Sequence, residues 1–412
     1  MFSTRCRRSG RRWFGWSGHG DQKYKTASGF VAGIAIAGLP DRVFIAPLIY
    51  TLSRAVSEPE LRALMPQLSA SLDRWEDVGN PPEEVIEAFI TDIAAAQKQR
   101  RLGVLVKRVA SMDSSMRAPL TNAARKAAAD ASFNATQLMA LDPVWQLPAT
   151  WGLVRKVVSP ITDRYLLATI DLERDNQGNI QSAPAEEAIF LDTIVRTFAI
   201  SFLVTALCFM LAYPLAYFMV HQSATVQAIM LIFVMLPFWT SILVRTAAWL
   251  ILLQTHGVIN DTLVSLGVLS QPVQLVYNRV GTILAMIHIQ LPFTLLPIYS
   301  VMKSISPVYA RAAQSLGAPP LASFRRIYFP MTMPGVAAGC LLTFILCLGY
   351  YITPALLGGP SDQLLSYYVA YYLNQEVNWS MAAAVSTILL AITLVVYVIY
   401  NRYVELLRQV EG

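Results

Sequence analysis

The chain has 412 residues, of which 55% are hydrophobic and 14% charged, with a mean hydropathy of +0.46. An ordinary soluble domain needs less apolar material for its core, so this composition excludes a simple soluble protein and points to an integral membrane one. The net charge of +6 gathers at one end, where Arg5, Arg7, Arg8, Arg11, Arg12, Lys23 and Lys25 face only Asp21. Such a cluster ahead of an apolar run reads as a topogenic signal held in the cytoplasm, and no nucleic-acid partner is expected.

In chain order, residues 1–28 form this basic cytoplasmic tail and 29–52 a first apolar segment. That segment is long enough to span but is broken by Pro40, Asp41 and Arg42. A charge at mid-membrane costs about 2.5–3.5 kcal/mol on insertion scales, so a kinked span is expected. Residues 53–187 then make a long polar segment. In it, PPEEVIEAFITDIAAAQKQRRLGVLVKRVA opens with prolines and acids and spaces its apolar residues at helical intervals. Nearer its end, Tyr165 to Leu172 is rich in strand formers and is followed by the turn signal Asp175-Asn176-Gln177-Gly178-Asn179. A small, mostly helical domain outside the cytoplasm is expected here.

Five apolar runs follow, at Ile194 to Val220, Val226 to Leu253, Gly281 to Val301, Gly335 to Leu357 and Met381 to Tyr400. Each approaches the ~20 residues that cross a ~30 Å hydrocarbon core. The loop from 303 to 332 carries Lys303, Arg311, Arg325 and Arg326, and the 402–412 tail carries Arg402 and Arg408. Both are placed in the cytoplasm by their positive charge. Counting back through five spans puts the residues before Ile194 outside, so a basic N-terminus kept inside requires the 29–52 segment to cross as well. The fold class is therefore an all-α integral membrane protein with about six transmembrane helices, a core over 188–401 and both termini cytoplasmic.

Enzyme motifs are missing from the sequence. No lysine follows a glycine, so there is no P-loop, and the histidines His19, His221, His256 and His288 lack metal-ligand spacing. Neither H-E-x-x-H nor G-x-S-x-G occurs. Cys208, Cys340 and Cys347 lie in apolar runs and Cys6 in the basic tail, which argues against a disulfide framework or zinc site. No catalytic residue, metal or bound cofactor is expected on this chain.

The loop VYARAAQSLGAPPLASFRRIYFPMTMPG carries its own punctuation. Ser306-Pro307 starts a helix, Gly317 suits the left-handed residue that ends one, Pro319-Pro320 starts a second, and Pro330 is expected to stop it. Its apolar residues Ala312, Ala313, Leu316, Leu321, Phe324 and Ile327 are too many for a connector facing water, so a docking role is expected.

Arg311-Ala312-Ala313-x-x-x-Gly317-Ala318, followed by Ile327-x-Phe329-Pro330, resembles the EAA loop of binding-protein-dependent ABC importer permeases. The resemblance extends through YPLAYF, LPFWTSILVRTAAW, GVINDTL, LPFTLLPIY and YYITPALLGGP, which are similar to the spermidine/putrescine branch, and covers roughly Phe190 to Tyr400. It implies the type I importer permease fold in a bacterial inner membrane. It also implies ATPase coupling through Arg311, Ala312, Ala313, Gly317, Ala318, Phe324, Ile327 and Pro330. ATP and Mg are expected on a separate ABC ATPase chain, beside a second related permease subunit, an extracytoplasmic solute-binding protein and membrane lipid. Two features depart from the family pattern: Arg311 stands where the family has glutamate, and the 53–187 segment is long.

For a translocation path, polar and aromatic residues within the apolar runs are the candidates: Trp239, Thr240, Ser241, Arg245, Trp249, His288, Gln290, Tyr350 and Tyr351. Pairing to a neighbouring helix is the competing role for Arg245 and His288. Pro292 and Pro297 are expected to bend their span, Gly358-Gly359-Pro360 to make an external turn, and Asp192 to pair with Arg196. Polyamines are the expected cargo, with an iron(III) complex or an oxyanion as the alternative. A secondary transporter and a membrane sensor are the rival classes; the first would need carboxylates within its spans and the second a cytoplasmic output domain.

Overall fold

A computed structural model describes residues 43, 45–72, 75, 81–110, 112–159, 161–175 and 179–411. The basic tail and most of the 29–52 segment lie outside these residues, as does most of the turn at 176–178. Up to Thr51 the described chain is the start of helix α1, Ala46–Arg54.

The 53–187 segment is built from short helices: α2 Pro59–Leu64, α3 Pro66–Ser71, α4 Glu83–Lys98, α5 Leu102–Ala110, α6 Arg117–Ala129, α7 Ala135–Leu141 and α8 Pro148–Val158. The helical stretch anticipated from residue 81 is two helices, because Arg100 takes a positive φ of 57° between α4 and α5. Their apolar faces meet around three rings. Phe89 lies 5.4 Å from both Trp145 and Trp151, and the two tryptophans are 5.8 Å apart. Trp151 Nε1 donates to the Trp145 carbonyl at 2.8 Å, so burial of this polar edge leaves no lost hydrogen bond.

Two buried carboxylates pin the segment together. Asp92 on α4 accepts from the Leu68 N–H at 2.8 Å, and burial pushes its carboxyl up to about 6 against the pull of backbone N–H groups at Leu68 and Gln67. Glu58 is ion-paired with Arg108 of α5 and accepts from the Tyr165 hydroxyl at 2.6 Å.

The strand expected over Tyr165 to Leu172 begins instead as helix α9, Arg164–Ala168. The strands are β1, Leu172–Arg174, and β2, Ile180–Ser182, an antiparallel hairpin in which Glu173 faces Gln181. Tyr165 is drawn into a helical turn by burial against Glu58, which outweighs its strand propensity. At the foot of the hairpin, Asp171 accepts from the N–H groups of Phe190 and Leu191 at 2.9 and 2.8 Å, capping the first turn of the next helix.

That helix is α10, Phe190–Val220, and the rest of the core follows. In order come α11 Ala224–Met235, α12 Ile242–Leu252, α13 Val258–Ser265, α14 Arg279–Ser304, α15 Val308–Ser315, α16 Pro320–Ser323, α17 Phe329–Leu348, α18 Ile352–Leu357, α19 Leu365–Asn374 and α20 Trp379–Glu411. Among the described residues, four stretches are long and apolar enough to cross a membrane: Phe190–Val220, Arg279–Ser304, Pro320–Leu348 and Trp379–Arg402. A fifth crossing is available if the pair Ala224–Trp239 and Ile242–Leu252, bent by 98°, counts as one span.

Two expectations change here. The run Val226 to Leu253 is not a straight helix: Pro237 opens a tight turn, and Ser241 caps α12 by accepting from the Val244 N–H at 3.2 Å. The span placed at Gly335 to Leu357 starts earlier and ends at Leu348, where Gly349 interrupts it before α18. Pro292 and Pro297 both lie inside the continuous helix α14.

Close backbone approach joins the core. A Cβ on Gly339 would lie 2.6 Å from the Thr294 carbonyl oxygen, and one on Gly335 would lie 2.8 Å from Val301 Cβ. Small residues therefore let α17 and α14 pack backbone to backbone, and the Thr294 and Thr343 hydroxyls hydrogen-bond across the seam at 2.6 Å. Tyr213 of α10 bonds Thr332 of α17 at 3.2 Å, bringing the third helix into the same bundle.

Candidate functional site

The inter-span loop folds as a bent pair of helices. Ser306 accepts from the Val308 N–H at 3.4 Å as α15 begins. At the other end Gly317 takes φ +89°, its N–H reaches the Gln314 carbonyl at 2.9 Å, and the Ala318 N–H reaches the Ala313 carbonyl at 3.0 Å. These two bonds are those of a Schellman cap, and the left-handed residue at its centre is the reason a glycine stands there. Ser323 then ties the limbs together by donating to the Ala310 carbonyl at 3.3 Å, with Ala313 buried at the crossing.

Pro330 does not stop the second limb. The chain widens into a π-turn over Phe324–Tyr328, with the Phe329 N–H bonded to the Phe324 carbonyl, and runs on as α17. A proline lacks the N–H for the α ladder and crowds the preceding turn, and a wider turn accommodates both. The second limb of the loop is thus continuous with a membrane-length helix, Pro320–Leu348.

The residues marked by the sequence fall on two sides of this element. Arg311, Ala312 and Gly317 are exposed, beside Val308, Tyr309, Leu316 at 90% and Leu321 at 77% exposure. Ala318, Phe324, Ile327 and Pro330 are half-buried, and Ala313 is buried. Phe324 is the anchor: its ring lies edge to face with Tyr217 at 5.6 Å, stacks on Tyr328 at 5.8 Å and meets Tyr213 at 6.4 Å. Tyr213 and Tyr217 belong to α10, so the loop is fastened to a second membrane helix as well as to its own. The sequence reading missed both tyrosines, although Tyr213, Tyr217 and His221 recur at helical spacing along one face.

The residues proposed for a path do not form one group. Trp239, Thr240 and Ser241 sit at the elbow between α11 and α12, where Trp239 is 80% exposed. Deeper, Trp249 Nε1 donates to His288 Nδ1 at 3.1 Å, which makes His288 a partner between helices. Arg245 acts electrostatically on both His288 and Tyr350 and lies 5.6 Å from the Phe238 ring, while its Nε is shielded from solvent and has no hydrogen-bond partner among the described residues. Two threonines that sequence reasoning left out complete this cluster: Thr246 and Thr353 share a 3.1 Å hydrogen bond, and Thr353 donates to the Tyr350 hydroxyl at 3.0 Å. Gln290 is elsewhere, buried with its amide on Cys347 Sγ at 3.5 Å, and Tyr351 is exposed. The expected pair of Asp192 and Arg196 is present at 3.1 Å.

Membrane-length helices packed through glycine and threonine, an elbowed pair and an exposed capped loop define a multi-pass helical membrane protein. Residues 189–409 match the family described as binding-protein-dependent transport system inner membrane component. The chain is 31% identical over 225 residues to the spermidine/putrescine transport system permease protein PotB of Haemophilus influenzae, covering 53% of this chain and 79% of that one. It is likewise 31% identical over 214 residues to PotB of Escherichia coli, covering 51% of this chain and 78% of the other. Among solved structures, a chain of a bacterial alginate ABC transporter in complex with an alginate pentasaccharide-bound periplasmic protein aligns at 21% identity and a TM-score of 0.44, over 52% of this chain and 77% of that one. The protein belongs to the binding-protein-dependent transport system inner membrane component family: it is a multi-pass permease of an ABC importer.

Proposed function

We propose that this chain is the permease subunit of an ATP-driven polyamine importer and that its 303–332 loop seats on a separate ATPase subunit. The observation that carries the reading is the loop itself: a rigid, glycine-capped bend with an exposed apolar edge at Val308, Leu316 and Leu321, fastened by Phe324 to α10 and continuous with α17. A force applied to that edge moves two membrane helices together, as a flexible connector would not. Arg311, exposed on the first limb, offers a cation where the family's glutamate would stand, so its match is an acidic patch on the ATPase.

On this reading ATP and Mg are bound and hydrolysed on the partner chain, and closure of the ATPase pair drives the permease between inward-open and outward-open states. A second, related permease chain completes the pathway, and an extracytoplasmic binding protein selects the cargo. The 303–332 loop and the C-terminal tail lie in the cytoplasm, with 53–187 on the opposite side. The cluster of Arg245, Thr246, Trp249, His288, Tyr350 and Thr353 lies along this chain's half of the path.

Polyamines are favoured by the two PotB relatives. One feature favours another cargo: the unpartnered Arg245 Nε suits an acceptor-rich solute such as an oxyanion. Uptake of labelled putrescine and spermidine, in cells lacking the chain and in the same cells supplied with it and its partners, decides between them. Uptake restored only with the chain, and abolished by ATP depletion, supports the polyamine reading. Restored sulfate or phosphate uptake without polyamine uptake overturns the cargo and leaves the permease.

A further inference from the structure

Beside the core, a recess of about 480 Å³ opens where the turn after α18 meets α19. Four of its lining residues are tyrosines, Tyr277, Tyr367, Tyr368 and Tyr371, and a fifth is Gln363. Tyr367 and Tyr371 stack one turn apart on α19 with centroids at 6.2 Å, and Tyr368 stands edge-on to Tyr367 at 5.5 Å. Tyr277 comes from the chain before α14 and holds φ +58°, a conformation that costs a bulky residue energy and that clusters at functional sites. Its carbonyl would lie 3.2 Å from a Cβ on Gly359, so the glycine lets the far wall approach closely.

The polar character of the recess is one-sided. Among the described residues, the Gln363 side-chain oxygen is shielded from solvent and has no hydrogen-bond partner, and its amide nitrogen makes a 3.4 Å bond to the Gly359 carbonyl. A turn about the soft terminal torsion presents that acceptor to a bound group. A buried acceptor without a donor is costly, and a ligand N–H satisfies it. Tyr371 donates its phenolic hydrogen to Glu376 at 3.1 Å, which fixes that ring, and the carboxylate is itself paired with Lys107 at 2.6 Å. Among the described residues no Lys, Arg or His lines the recess.

We propose that this recess is a binding site for a primary alkylammonium group, held by the tyrosine faces through cation–π attraction and by the Gln363 side-chain oxygen through a hydrogen bond. The proposal deepens the polyamine reading above, on which the role of the recess as an entry station for cargo rests. The chemistry of the recess stands on its own residues.

The test uses the assembled transporter in lipid nanodiscs without its binding protein, and equilibrium binding of radiolabelled putrescine, with n-butylammonium and neutral 1,4-butanediol as competitors. Expected results are saturable binding, displacement by n-butylammonium but not by the diol, and an affinity weakened about tenfold in Tyr367→Leu. Tyr367→Phe, which keeps the ring, should bind as the parent does and shows that the site is intact. Gln363→Leu should also weaken binding. Unchanged affinity in both Tyr367→Leu and Gln363→Leu, or equal displacement by the diol, overturns the site. The two readings fail separately: ring-dependent n-butylammonium binding in a transporter that takes up no polyamine keeps the recess and sinks the cargo. Polyamine uptake by a transporter whose putrescine binding ignores Tyr367 does the reverse.

Discussion

Phe324 meets Tyr217 edge to face at 5.6 Å with the ring planes at 89°, and this contact joins the inter-span loop to helix α10. Aromatic pairs contribute about 0.5–1.5 kcal/mol beyond their buried area, and Phe324 also touches Tyr328 and Tyr213. Phe324→Ala should leave the chain inserted but loosen the loop from α10, lowering uptake roughly tenfold for about 1.4 kcal/mol of lost coupling. ATP hydrolysis by the reconstituted complex should persist, now poorly tied to transport. Wild-type uptake by this variant would show that the aromatic anchor transmits nothing.

Gly317 tests the bend itself. A Cβ placed there meets nothing within 4 Å, so a larger residue acts through the backbone alone, at φ +89°. A β-branched residue in the left-handed region costs roughly 1–2 kcal/mol, whereas asparagine tolerates it better. Gly317→Val should therefore lose most uptake while Gly317→Asn keeps most of it, with both variants present in the membrane at parental levels on an immunoblot. Equal activity of the two would remove the conformational argument for the cap.

How far the sequence carried is clearest in this loop. Glycine and proline impose backbone conformation locally, so Gly317 and the start at Ser306-Pro307 were legible; Pro330 misled because its consequence depends on whether the helix can widen into a π-turn. The elbow near Pro237 was hidden for a similar reason, since hydropathy counts apolar residues and is blind to direction. In the candidate path Arg245 and His288 were found because charge and imidazole stand out in an apolar run. Thr246 and Thr353 were not, because a threonine in a membrane helix most often bonds its own backbone and only the fold brings two hydroxyls together. The tyrosine recess was missed because Tyr277 and Tyr367 are far apart in sequence and only the fold brings both to its lining.

Asp92 gives the 53–187 segment a pH dependence. Its carboxyl is raised from the ordinary 3.8 to about 6 by burial, so between these values the folded form holds a proton that the unfolded form has released. Stability therefore falls as pH rises from about 4 to about 6, by at most roughly 3 kcal/mol at 1.36 kcal/mol per pK unit. Asp92→Asn keeps an acceptor for the Leu68 N–H and cannot ionise. Thermal unfolding of the full chain in detergent should show the variant melting higher than the parent at pH 7 and equal to it near pH 4. A variant that melts lower at pH 7 would mean that the carboxylate's two backbone bonds outweigh its burial.

The pair of Glu58 and Arg108 makes a different prediction, because both side chains are about nine-tenths buried, 9% and 10% exposed. Removing one member of a buried pair costs about 3–5 kcal/mol, since the charge left behind loses its partner without regaining water. Arg108→Met leaves the Glu58 carboxylate with the Tyr165 hydroxyl, which donates to it at 2.6 Å but carries no charge, and with the charge of Arg164 acting on it, but without the ion pair to Arg108. Adding Glu58→Gln removes the stranded charge and keeps an acceptor for that hydroxyl. The double variant should therefore melt well above Arg108→Met and close to the parent, a non-additive result that a simple loss of packing does not produce. Additive destabilisation across the two substitutions would instead assign the effect to the side-chain stems and leave the ion pair without a measurable role in holding α5 against α9.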